Sequence, residues 1–138
     1  MIFNLKDNDM NNYITWVYNT LLAEIEQDTG WVSLELLNGA KLFTEGYNLQ
    51  VRRIRNTVYM RGRITGLTAH PTTIAVLPQQ FRPRDGYSFR FVVPSNGGTN
   101  AVFVFNPDSG NVILDFTSDG NVPAERWFSF NNVVFCTD

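Results

Sequence analysis

Residues 48–64 read NLQVRRIRNTVYMRGRI, two strand-like runs hinged on the dipeptide Arg55-Asn56. Asn tolerates the left-handed backbone that a tight turn requires, so the segment is expected to fold back on itself as an antiparallel hairpin. Side chains alternate across a strand. In the second run Val58, Met60, Gly62 and Ile64 therefore share one face, while Tyr59, Arg61 and Arg63 share the other. The first set reads as a core face and the second as a polar face open to a ligand.

The same rhythm continues outward from this hairpin. Upstream lies WVSLELL (31–37); downstream come TTIAVL (72–77), YSFRFVV (87–93), AVFVFN (101–106), NVILDF (111–116), RWFSF and NVVFCT. The connections NGA, RDG, SNGG, PDSG and SDG carry turn chemistry. Short runs broken at roughly this interval predict an all-β body, an antiparallel β-sandwich or barrel of about eight strands over residues 31–138. AVFVFN shows no alternation, which suits a central strand covered on both faces by a second sheet or a neighbouring subunit. The composition agrees: 14% of residues are aromatic, eleven of them Phe, and Lys is scarce.

Residues 1–30 follow another period. Met10, Ile14, Val17, Leu21 and Ile25 are spaced 4, 3, 4 and 4, one stripe along a helix. Asp7, Asn8 or Asp9 can cap its start and Thr29-Gly30 can stop it. Such a helix is marginal alone in water, so its stripe, widened by Tyr13, Trp16 and Leu22, needs a partner. Two partners fit: the chain's own β body, or the same stripe in other copies as a short two- or three-stranded bundle.

Between strands lies the corner LPQQFRPRDG (77–86). Pro78 closes the preceding strand because it cannot donate to the ladder. Phe81 is placed to plug one end of the core, and Arg82-Pro83 to fix the exit towards Asp85-Gly86.

Charge and special residues exclude several classes. A net charge of −2 and a pI near 5.3 argue against a nucleic-acid-binding barrel, which needs a positive groove. One cysteine, Cys136, and one histidine, His70, cannot assemble the usual N/S metal sites or an internal disulfide, and no cofactor motif is present. Cys136 reads as a half-buried structural thiol. The start MIFNLKDNDM lacks the apolar run of a signal peptide, and no stretch is long enough for a membrane span, so maturation in a reducing cytosol is expected. Glu35 and Asp115 have apolar neighbours on both sides, but alternation turns each outward, which argues against a hydrolytic pair.

The ordered set WVSLELLNGA, VRRIRNTVYMRGRITG, IAVLPQQFRP, SGNVILDFTSDGN and RWFSFNNVVFCTD resembles the C-terminal β domains of receptor-binding and baseplate tail-tip proteins from siphophages of Gram-positive bacteria. The shared features are a Trp strand ending in Asn-Gly, a hairpin strand with Gly, a Leu-Pro-x-x-(Phe/Tyr)-Arg-Pro corner and a late Trp strand, over about residues 31 to 135. The resemblance implies a homotrimer, with residues 1–30 as helical neck and residues 31–138 as a β head. It further implies attachment to host cell-wall polysaccharide, contact with other tail proteins, a place in the virion and no catalysis. Similar domains also serve as structural or accessory tail parts. The His/Asp pair and Trp that hold saccharide in some lactococcal heads have no counterpart here, where Phe103, Phe105 and Leu114 occupy the comparable strands.

Candidate saccharide contacts are therefore drawn from the residues themselves. Tyr59, Tyr87 and Trp127 combine a ring face with a polar tip. Arg61, Arg63 and Arg84 supply forked donors suited to phosphate or carboxylate, as in teichoic acids. Asp85 and His70 complete the set. Each residue also has a structural reading: packing for the rings, ion pairing or edge protection for the arginines, a solvent-facing loop for His70.

Overall fold

A computed structural model of the chain describes residues 7–46, 48–84 and 88–137; the side chains at 7, 8 and 23–26 lie outside that description. The possible caps Asp7 and Asn8, the stripe residue Ile25, and Asp85, Gly86 and Tyr87 of the corner accordingly fall outside the residues whose side chains are described.

Helix α1 spans Asp7–Glu26, so Asp9 sits inside it and does not cap it. It stops short of the expected Thr29-Gly30 because the chain is taken up by the sheet. Asp28 bridges Ile54, and the Thr29 N–H donates to the Arg53 carbonyl at 2.9 Å. The apolar stripe does not dock on the β body. Met10, Tyr13, Ile14, Trp16 and Leu21 are exposed, with Trp16 at 64%.

Eleven short strands follow among the described residues, in three antiparallel sheets. The first holds β1 (Val32–Ser33), β3 (Gln50–Ile54), β4 (Thr57–Arg61) and β11 (Val134–Cys136), in the order β1-β3-β4-β11. The second holds β2 (Lys41–Leu42), β5 (Arg63–Thr65) and β10 (Phe128–Ser129), in the order β10-β5-β2. The third runs β6-β9-β8-β7, from β6 (Thr72–Val76), β9 (Asn111–Thr117), β8 (Asn100–Phe105) and β7 (Phe89–Pro94).

Aromatic contacts identify the two layers. Phe103 of β8 meets Phe128 of β10 at 5.6 Å and Phe130 at 4.8 Å, while Phe105 meets Phe135 of β11 at 5.5 Å. The third sheet thus faces the first and second together, an all-β sandwich. Phe81, Phe103, Phe105, Phe128 and Phe130 are wholly buried, and such rings dominate the energetics of a core.

The hairpin forms as the sequence requires, with Ile54 paired to Thr57 across the turn, but the left-handed residue is Arg55, at φ +55, and not Asn56. The second run is not one strand. It breaks at Gly62, whose φ is +118 and whose missing Cβ would stand 2.3 Å from the Asn48 carbonyl oxygen, so that only glycine fits. There the chain passes from the first sheet to the second while keeping its alternation: Val58, Met60 and Ile64 are buried and Tyr59 and Arg61 exposed.

Four further expectations need correction. WVSLELL is regular only at Val32–Ser33, because Leu37 leaves to bond the Ile74 carbonyl at 2.8 Å and Asn38, at φ +55, donates to the Thr73 carbonyl. Strand β8 is central, but its second face is only half-covered at Val102 and Val104, beside exposed Val92 and Phe116. Cys136 is exposed because β11 alternates and turns Phe135 inward instead. By alternation Ser129 shares the Trp127 side of RWFSF, the face expected to be the less buried one, yet it is buried, at 6% exposure.

The corner is a built clamp. Phe81 is fully buried in the 3₁₀ turn Gln79–Phe81. Arg82 donates from Nε to the Leu77 carbonyl at 3.0 Å and from a terminal nitrogen to the Asp108 carbonyl at 2.7 Å. Gly110 is glycine because a Cβ there would lie 2.4 Å from that same Leu77 oxygen and 2.6 Å from Arg82 Nε. Arg82 is a staple between two loops.

Candidate functional site

The outer face of the β3–β4 hairpin is aromatic and basic. Trp31, one residue before β1, is half-buried beside the pair Val32 and Val51. Over its ring lies the Arg61 guanidinium, 4.1 Å from the centroid, with that of Arg52 6.0 Å away. Arg61 Nε donates to Gln50 Oε1 at 2.8 Å, and Gln50 Nε2 donates to Ser33 Oγ at 3.1 Å. In-register neighbours Val134, Tyr59 and Arg52 form one row across three strands. Around them lies a groove of about 490 Å³ lined by Trp31, Tyr59, Arg61, Asn131 and Val134.

At its edge Arg52 is tied to Asp28, Nε to Oδ1 at 2.9 Å and a terminal nitrogen to Oδ2 at 2.5 Å. Those bonds, with the Gly30 N–H on Oδ1, hold the Asp28 carboxyl down at about 2. Arg52 is thereby neutralised. Asp28, Gly30, Arg55 and Tyr59 border a wider open depression that continues from the groove.

On the far side of Gly62 a second cluster forms. Arg63 lies 4.8 Å from the Trp127 ring centroid and 6.0 Å from that of Phe43, and the two rings meet edge to face. Its buried Nε has no hydrogen-bond partner among the described residues. A cation held between rings is stabilised by their negative faces.

The expected site residues therefore separate into several places. Tyr59 and Arg61 stand together on the β4 face, and Arg63 and Trp127 stand together on the second sheet. His70 is exposed, with Nε2 3.4 Å from the Gly120 carbonyl oxygen. Arg84 is exposed near the end of β11, its backbone N–H donating to the Cys136 carbonyl at 3.1 Å. Asp85 and Tyr87 lie outside the described residues.

Trp31, Asp28 and Phe43 escaped sequence reading as site residues. For Trp31 the missing information was register: Val32 opposite Val51 brings the preceding ring over the arginines of the hairpin. Other arginines serve the fold. Arg90 pairs with Asp115 at 2.5 Å, and Arg126 grips Asp119 through two bonds of 2.8 and 2.7 Å, holding that carboxyl well below the usual carboxylate range.

No group of three or more metal-donor side chains occurs among the described residues, and no described helix is long and apolar enough to cross a membrane. No protein-family model and no curated protein sequence matches the chain. A solved structure does. Over 98% of its length, and over 82% of the other chain, the protein superposes with a TM-score of 0.70 and 14% identity on the receptor binding protein gp15 of Listeria phage PSA, and it shares that protein's fold.

Proposed function

We propose that the chain is the receptor-binding head of a phage tail, adhering to host cell-wall saccharide without chemistry. The observation that carries this reading is the fold likeness to a phage receptor-binding protein, which extends over helix and sandwich alike. In this reading residues 1–30 are a helical neck and residues 31–138 the head, and three copies join through the neck. The exposed stripe Met10, Tyr13, Ile14, Trp16 and Leu21 supports the trimer, because it finds no cover among the described residues and another copy offers a matching surface. A place in the virion, against other tail or baseplate proteins, follows from the same reading.

The outer face of the hairpin supports the saccharide. Rings with polar edges beside forked donors suit a ligand that is apolar on its faces and polar around its rim. Each site would be weak, and adhesion would rest on several heads per particle.

Light scattering on the whole protein, followed by decoration of intact Gram-positive cells with the labelled protein, tests both halves. A trimer that decorates some strains and spares others supports the reading. A trimer that decorates none favours a structural tail module, and a monomer removes the neck.

A further inference from the structure

We infer that the groove over β3 and β4 is a binding site for a phosphodiester-linked wall glycopolymer, with Arg61 taking the phosphate. The inference rests on the wall-binding reading and assigns it a site and a ligand class.

Arginines on this protein fall into those already neutralised and those that are not. Arg52, Arg90 and Arg126 each hold a carboxylate: Asp28, Asp115 and Asp119. Arg61 pairs with no carboxylate among the described residues. Its Nε is spent on Gln50, its face rests on Trp31, and its two terminal nitrogens make no hydrogen bond among the described residues. Gln50 is itself held by Ser33, so the guanidinium is oriented before any ligand arrives. An oriented, exposed and unneutralised fork is the donor geometry that phosphate oxygens accept in pairs. Arg63 is the poorer candidate, for it is half-buried between Trp127 and Phe43.

The rest of the groove sets the ligand class. Trp31, Tyr59 and Val134 give it an apolar floor, and Asn131 adds a polar group at its rim. At about 490 Å³ it falls within the range of small-ligand sites. Free phosphate would leave the floor unused, and a neutral sugar would leave Arg61 unmatched. A sugar or polyol joined by phosphodiesters uses both.

The test is sedimentation of the whole protein with purified Gram-positive walls, intact or stripped of phosphodiester-linked polymer by cold hydrofluoric acid. Wild-type protein is expected to bind intact walls and lose most binding on stripped ones. Arg61→Ala should weaken binding to intact walls by about tenfold or more while lowering the melting temperature by a few degrees at most, since a hydrogen-bonded charge is worth that much. Arg61→Lys, which keeps the charge and loses the fork, should recover only part. Arg90→Ala, on the other layer, should bind as wild type. If wild type holds stripped walls as well as intact ones, or Arg61→Ala holds intact walls like wild type, this inference is overturned while wall binding stands. If wild type binds no wall, both fall together.

Discussion

The corner at residues 77–83 and the outer face of the hairpin at residues 50–61 both carry arginine, yet they use it in opposite ways. At the corner Arg82 ends on two backbone carbonyls, Leu77 and Asp108, so its Nε and one terminal nitrogen are consumed by the fold. On the hairpin face Arg61 lies against Trp31 with only Nε bonded, and its remaining donors are open. The residue type is the same. What separates a structural arginine from one available to a ligand is whether carbonyls or carboxylates of the chain have already claimed its fork.

The largest expected effect lies at the corner. Phe81→Ala empties a fully buried ring site and should cost about 3–5 kcal/mol in denaturant unfolding. Next comes the joint between the two sheets: Gly62→Ala sets a Cβ against the Asn48 carbonyl and should lower the melting temperature markedly while disturbing Arg61 and Arg63 on either side. Tolerance of alanine there would mean that the two aromatic clusters are not set by this glycine.

Arg82→Ala should follow, at about 2 kcal/mol, because it strips charged donors from two loop carbonyls. Wall binding should survive in whatever fraction stays folded. Arg61→Ala is the reverse case, with stability changed by about 1 kcal/mol or less, the scale of an exposed cation–ring contact. If the two variants lose stability equally, the contrast between the regions fails.

The smallest effect is a pH dependence. Asp28 is held at about 2, below its ordinary value of 3.8, so the stability it lends is present above about pH 4 and is lost as pH falls through about 2. Asp119, held lower still by Arg126, extends the loss to more acid solution. In thermal melts between pH 7 and pH 2, Asp28→Asn should show a shallower acid decline than wild type; an identical decline would mean that the Arg52 pair adds nothing.

Much of this was legible in the sequence because it depends on local periods. The alternation of Val58, Met60 and Ile64 against Tyr59 and Arg61 needed no partner strand to be read, and the same holds for the helix stripe. Gly62 could be read as an inward position but not as the break between sheets, since the obstructing Asn48 carbonyl is brought there by folding. The site was half legible for the same reason. Tyr59 and Arg61 share a strand; Trp31 and Asp28 reach them only through the pairing of β1 with β3 and the bridge from Asp28 to Ile54. Nor could sequence sort the arginines, because the carbonyls that occupy Arg82 come from loops on both sides of β7 and β8.

The most direct measurement is a binding isotherm of the unlabelled whole protein on purified cell walls from a panel of Gram-positive strains. A receptor-binding head predicts saturable binding to some strains and none to others, weakened by Arg61→Ala and untouched by Arg90→Ala. Absence of binding across the panel, with the protein folded and trimeric, would contradict it.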